Sequence, residues 1–222
     1  MKKLVNSKKF VASYSGGKDS ILAICRAINL GMEPVSLINT YNDDRECSWF
    51  HGIPEDLLKE VSASLNIPIK LIKTTGLDYA ANFEKELKAQ KEKGAEVCVF
   101  GDIDLAEHLE WCTARCNAVG LEAFFPLWQE ERKNLVEEFI KRGFTANITI
   151  VDTERLSEKH LGMKLSAETV ASIIAEGADP CGENGEYHTF VSNGPLFGTP
   201  VSFRYGEVVK NEKYAILPVM KF

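Results

Sequence analysis

The sequence predicts an α/β protein, with a parallel sheet covered on both faces over residues 1–126 and a smaller α+β part over residues 127–222. Three observations predict it. Short β-rich runs alternate with longer helical stretches through the first half, which is the pattern of strand-helix-strand units. Gly31, Gly94 and Gly120 each fall just past a helical run, where a left-handed terminal residue is wanted. The chain, at 222 residues and 24.7 kDa, exceeds the commonest single domain and falls short of two ordinary ones.

The elements follow in order. Strands are expected at Phe10 to Tyr14, Val35 to Thr40, Ile69 to Thr74, Val97 to Gly101 and Glu122 to Phe125. Between them, Ser20 to Leu30, Glu55 to Leu65, Tyr79 to Lys93 and Leu105 to Val119 carry mixed apolar and polar helical faces. After Pro126 the alternation weakens. A helix is expected from Gln129 to Arg142, a strand from Thr145 to Val151, and a helix from Ala167 to Glu176 behind an N-cap at Ser166. A glycine- and proline-rich segment from Gly177 to Pro200 leads to strands at Val201 to Tyr205 and Tyr214 to Val219, flanking a Lys-Asn-Glu-Lys turn.

Composition narrows the function. Hydrophobic residues make up 45% and charged residues 26%, the balance of an ordinary globular chain. No apolar run approaches the ~18 residues that span a bilayer, and the amino terminus lacks the long apolar region of a signal peptide, so a cytoplasmic, non-membrane protein is expected. Six scattered cysteines without a CxxC agree with a reducing compartment. The 32 acidic against 26 basic residues give a net charge of −6, which places nucleic acid second among partners.

The strongest chemical signal is Ser15-Gly16-Gly17-Lys18-Asp19-Ser20, between the first strand and the first helix. Adjacent glycines let the backbone gather its N–H groups toward one point, and the helix start adds unpaired amides and a positive dipole end. Such a turn binds an oxyanion. The Ser15 and Ser20 hydroxyls add donors, Lys18 adds charge, and Asp19 fits beside phosphate if Mg²⁺ lies between them. No GxxxxGK[ST] loop or GxGxxG fingerprint occurs, which counts against γ-phosphate transfer and against a nicotinamide enzyme.

SGGKDS in this position resembles the PP-loop of the N-type ATP pyrophosphatases. Tyr41, Ser48-Trp49-Phe50-His51, Pro126-Leu127-Trp128 and the stretch from Cys181 to Val191, with its GExGEYHT-like core, make the chain similar to the diphthine-ammonia ligase family over about residues 8 to 200. The resemblance implies a HUP/Rossmann-like PP-loop domain, 1–126, binding ATP and Mg²⁺, with an acceptor domain, 127–222. It implies an adenylating ligase: the loop holds pyrophosphate, an acceptor oxygen attacks the α-phosphorus, and ammonia displaces AMP to form an amide. It implies Ser15 to Ser20, Tyr41, His51 and Gly101 at the nucleotide, Asp19 at the metal, and Lys18, Glu183, Glu186 and His188 in catalysis. A protein acceptor of the elongation factor 2 type and a homodimer are compatible with it.

One segment departs from the family pattern. Gly101-Asp102-Ile103-Asp104-Leu105-Ala106-Glu107-His108 stands where relatives carry Gly-Ala-Ile-x-Ser, which puts two acids where ligands bind open α/β sheets. Asp102 and Asp104 could serve the acceptor or a metal, or cap the next helix. Glu183, Glu186 and His188 form a carboxylate–imidazole set on a glycine-punctuated loop, able to hold ammonium or a metal and to move a proton, or else a solvated acidic turn with His188 starting a strand. The loop at Ser48 to His51 either stacks on a base or is pinned to the body by its aromatics. Cys112 and Cys116 share a helix face as buried thiols, and Cys181 is the one cysteine placed for chemistry. Two alternatives stand beside the ligase: an ATP-binding regulatory protein without ligase activity, and a tRNA-modifying PP-loop enzyme.

Overall fold

The computed structural model describes residues 8–222, so the amino-terminal reading of residues 1–7 lies outside the described residues. In chain order the first elements are β1 (Lys9–Ser13), α1 (Lys18–Asn29), β2 (Glu33–Asn42), β3 (Cys47–Ser48), α2 (Glu55–Leu65), β4 (Ile69–Thr74) and α3 (Tyr79–Glu92). Then come β5 (Val97–Val99), α4 (Ala106–Val119), β6 (Glu122–Phe124), α5 (Arg132–Lys141), β7 (Thr145–Asp152), a 3-10 turn (Glu158–His160) and α6 (Ala167–Ala175). The chain ends with β8 (Tyr187–Asn193), β9 (Arg204–Tyr205), β10 (Val209–Asn211), β11 (Tyr214–Ile216) and β12 (Val219–Met220). Among the described residues no helix is long and apolar enough to cross a membrane.

The chain divides into two compact units that are not contiguous in sequence. The first comprises residues up to Tyr14, Asp19–Arg45 and Ile67–Trp128; the second comprises Ser15–Lys18, Glu46–Asn66 and Gln129–Phe222. The expected division after residue 126 lies close to the last of these junctions, but the second unit also includes two segments from the amino-terminal half.

In the first unit five strands pair in parallel in the order β4-β2-β1-β5-β6. Phe10, Val11 and Ala12 of central β1 are fully buried, which is why this strand reads as an unbroken apolar run rather than an alternating one. From β1 the chain moves outward to β2, and from β4 it crosses back to β5 beyond β1. Right-handed crossovers then place α1 on one face and α3 and α4 on the other, with the reversal between β1 and β5. On the α3–α4 face, Val11, Ile38, Phe83, Leu87, Cys98 and Cys116 belong to one core cluster. Gly31, Gly94 and Gly120 have φ of 86°, 100° and 71°, the left-handed helix ends read from the sequence.

In the second unit an antiparallel sheet runs β10-β11-β7-β8, and β9 pairs with β12. Ser166 caps α6 as expected, its hydroxyl accepting from the Thr169 amide. The carboxy-terminal strands differ from expectation. Residues 201–203 are not strand; Arg204–Tyr205 pair with Val219–Met220, and the hairpin partner of β11 is β10, closed by Glu212 at φ 52°. The seven-residue β8 lies inside the glycine- and proline-rich segment, and His188 stands at its second position. Its buried run from Tyr187 to Ser192, apart from the partly buried His188, gives it a sheet core that flanking glycines obscure.

Candidate nucleotide-binding site

Within the second unit the glycine turn Ser15–Lys18 meets the free edge of β8. Gly16 has φ of 95°, outside the range of ordinary side chains, and a Cβ there would come within 2.0 Å of the Ile53 side chain. The Gly17 amide reaches the Ser15 hydroxyl at 3.3 Å. The Gly16 carbonyl accepts from the Val191 amide at 3.0 Å, and the Lys18 amide donates to Thr189 Oγ1 at 3.1 Å. Lys18 is only 4% exposed, with its ammonium 5.2 Å from the centre of the Tyr187 ring. A buried cation at the start of a helix, beside two glycines, is chemistry directed at an anion.

His51 is placed by a short closed loop. The Ser48 N–H donates to the Ile53 carbonyl at 2.8 Å, and the Ile53 amide donates to the Ser48 hydroxyl at 2.9 Å. These bonds close the loop, in which Trp49 is half-buried and Phe50 is 53% exposed. The His51 ring lies against Gly17, where a Cβ would approach Cε1 to 2.3 Å. Its Nδ1 lies 2.8 Å from the Thr189 carbonyl, which only accepts, so Nδ1 carries the proton. The rings of His51 and His188 meet edge-on at 4.9 Å.

Both imidazoles are held neutral. Burial pushes His51 down to about 3, with His188 and then Lys18 adding to it against the opposing carbonyl bond, and burial followed by Lys18 pushes His188 down to about 4. Unfolded, each takes up a proton near pH 6.5. The stability tied to these residues is therefore fully present above that pH and is lost as pH falls from about 6.5 toward 4, by at most about 1.4 kcal/mol per pH unit for each. Urea midpoints between pH 7.5 and 4.5 should fall less steeply for His188→Asn than for the native chain; equal slopes would refute this assignment.

The acidic loop before β8 is built around Asp179, which sequence reasoning missed. Asp179 accepts from the Cys181 amide and the Glu183 amide, each at 2.9 Å, and from the Arg132 guanidinium at 2.6 Å. Cys181, expected nearest to chemistry, is buried and donates its thiol hydrogen to the Arg132 carbonyl. The Tyr187 hydroxyl reaches the Pro180 carbonyl at 2.6 Å. Glu186 is buried, with its carboxylate on the Asn184 amide and side chain at 3.1 and 3.2 Å. Glu183, Glu186 and His188 do not gather as a metal-holding group; among the described residues no three His, Cys, Asp or Glu do so.

The remaining expected residues lie in the first unit. Asp19 and Ser20 form the first turn of α1. A Cβ on Gly101 would fall 2.7 Å from Ser20 N and 2.8 Å from the Asp19 carbonyl carbon, so glycine there permits β5 to run up to the helix start. Tyr41 is buried near the end of β2, with the Lys73 ammonium 5.7 Å from its ring centre. The structure thus brings Ser15, Gly16, Gly17, Lys18, His51 and His188 together in one unit, and Gly101 with Asp19 and Ser20 in the other. Asp102 pairs with His108 at 3.0 Å, and the N-cap of α4 is Leu105, with no side-chain cap bond. All six cysteines are free thiols; Cys112 and Cys116 are buried, and burial, then Asp102, then Cys116 raise the Cys112 thiol pKa.

A doubly wound sheet whose first strand ends in a glycine turn at a helix start, with a buried lysine, defines a class of α/β protein whose helix start is built to face an anion. Residues 8–123 match the diphthamide synthase N-terminal domain and residues 131–220 match the diphthamide synthase C-terminal domain, and the chain belongs to that family. Its relatives include the diphthine–ammonia ligase of Schizosaccharomyces pombe, 24% identical over 226 residues, covering 91% of this chain and 37% of that protein. That of Saccharomyces cerevisiae is 27% identical, covering 85% and 33%, and that of Homo sapiens is 25% identical, covering 95% and 88%. This chain therefore spans about a third of the two fungal proteins and most of the human one. The crystal structure titled predicted subunit of tRNA methyltransferase, from Methanocaldococcus jannaschii, overlays 87% of this chain at a TM-score of 0.46 and 15% identity, too slight a likeness to bear on function.

Proposed function

We propose that the protein is an ATP-dependent adenylating amide ligase of the diphthine–ammonia ligase kind, splitting ATP to AMP and pyrophosphate. The observation that carries this reading is the glycine turn with buried Lys18, in a chain that matches both domains of the family. The turn and Lys18 would hold the pyrophosphate portion of ATP. Asp19 would meet Mg²⁺ shared with phosphate oxygens, a role that suits an acid beside an anion site. Ser20, Tyr41, His51 and Gly101 complete the nucleotide side.

In the reaction so read, a carboxylate oxygen of the acceptor bonds to the α-phosphorus as the bond to the pyrophosphate oxygen breaks. Ammonia then attacks the acyl carbon and AMP leaves. Glu183 or Glu186 would position ammonia, and neutral His188, with its depressed proton affinity, would take a proton only transiently. The first domain would then serve ATP and the second the acceptor, with a protein of the elongation factor 2 type as one acceptor and a homodimer and a cytoplasmic setting as further parts of the proposal.

The test is product analysis. With α-labelled ATP, ammonia and candidate carboxylate acceptors, AMP and pyrophosphate should accumulate in equal amounts; steady ADP release would refute the reading. ATP binding without turnover on any acceptor would favour a regulatory ATP-binding protein instead.

A further inference from the structure

The residue before helix α1 is Gly17, which has no side chain with which to cap the helix. Its first amide, that of Lys18, is met instead by Thr189, 171 residues away. Thr189 is 1% exposed and makes two contacts through two different atoms, one to the turn and one to His51. Its hydroxyl accepts from Lys18 N–H at 3.1 Å, and its carbonyl accepts from His51 Nδ1 at 2.8 Å. Two residues further along β8, Val191 N–H holds the Gly16 carbonyl at 3.0 Å. The ladder is irregular where this happens: the pairing of β8 with β7 shifts register between Ile148 and Ile150, opposite Thr189 and His188, leaving Thr149 of β7 as an extra residue. Such a bulge re-aims side chains along a strand.

We infer that Thr189 is a positioning residue for phosphate binding, setting the direction of the helix-start amides and of Lys18 by anchoring the turn from the edge of the second unit's sheet. This rests on the nucleotide reading above. Thr189 acts through the turn and through His51, and it need not touch the nucleotide itself. Replacing its hydroxyl by a methyl removes the acceptor that Thr189 offers the buried Lys18 amide and so loosens the tie between the turn and β8.

The experiment compares Thr189→Val, Thr189→Ser and Thr169→Val in the full chain, measuring binding of MgATP and of magnesium pyrophosphate by calorimetry together with melting temperature. Thr169 is the control, a buried threonine of α6 whose hydroxyl bonds the Lys164 carbonyl at 2.8 Å. Thr189→Val should bind both ligands about tenfold more weakly, Thr189→Ser should stay within about twofold of the native chain, and Thr169→Val should lose melting temperature without losing affinity. If Thr189→Val fails to fold, Thr189→Cys takes its place with the same direction expected. Native affinity in the folded Thr189 variant, or equal weakening in Thr169→Val, overturns the inference. A native chain that binds neither ligand overturns the nucleotide reading itself.

Discussion

Replacing Lys18 with alanine is expected to lower the rate of AMP and pyrophosphate formation by about 10²-fold or more. The side chain is almost wholly withdrawn from water, where a charge stabilises developing negative charge far better than at the surface. It sits where the positive end of α1 already favours an anion, so the two effects add at one place. Lys18→Arg should restore little, because the longer planar fork does not fit a slot shaped around one ammonium and the Tyr187 ring. A second readout separates loss of charge from loss of shape. Lys18 depresses the proton affinity of both His51 and His188, so the alanine variant should raise both imidazole pKa values in an NMR titration. Unchanged turnover would remove Lys18 from the mechanism.

Gly101→Ala should be the most damaging single methyl addition in the first unit. Its Cβ would meet Ser20 N, the Asp19 carbonyl carbon and Ser20 Cα at 2.7 to 2.9 Å, all backbone atoms that cannot swing away. Relief requires β5 and the first turn of α1 to separate, at a cost of about 1–3 kcal/mol or more. The displaced turn begins with Asp19 and Ser20, so MgATP affinity should fall together with stability. Gly31→Ala provides the comparison. Its φ is 86° with open space around it, so only the backbone penalty of about 1 kcal/mol applies and ATP affinity should be kept. Equal melting temperatures and ATP affinities for Gly101→Ala and the native chain would refute the close-packing argument.

Much of the amino-terminal half was legible because its signals are local. The strand at Ile69 to Thr74 and the helix at Glu55 to Leu65 fall where apolar pattern and glycine punctuation place them, and SGGKDS announces its turn by position. The second half was less legible for a physical reason. β8 owes its strand character to pairing with β7 and to burial, while the glycines before it carry the local signal of a loop. Arg204–Tyr205 and Val209–Asn211 are too short to carry a period, and their partners are decided by tertiary pairing. Asp179 escaped notice, and Thr189 entered only as a letter of a motif, because their roles lie in which amides they meet. Tyr41, His51 and Gly101 entered through likeness to a family, and the sequence alone did not reveal that Gly101 is required by the closeness of one backbone to another.

The edge of β8 has a further consequence, for the behaviour of the chain in a crowded solution. A four-stranded sheet has two open rims, and an unpaired rim is a template on which another chain can grow. One rim here is β10, only three residues long, exposed and carrying Lys210, features that discourage such growth. The other is longer and more apolar, and it is closed by the Gly16 carbonyl on Val191 and by His51 on Thr189. The glycine turn is therefore also a guard. Damage to it would bare a buried strand rim, so lesions there should show first as self-association of otherwise folded protein, before any general loss of structure.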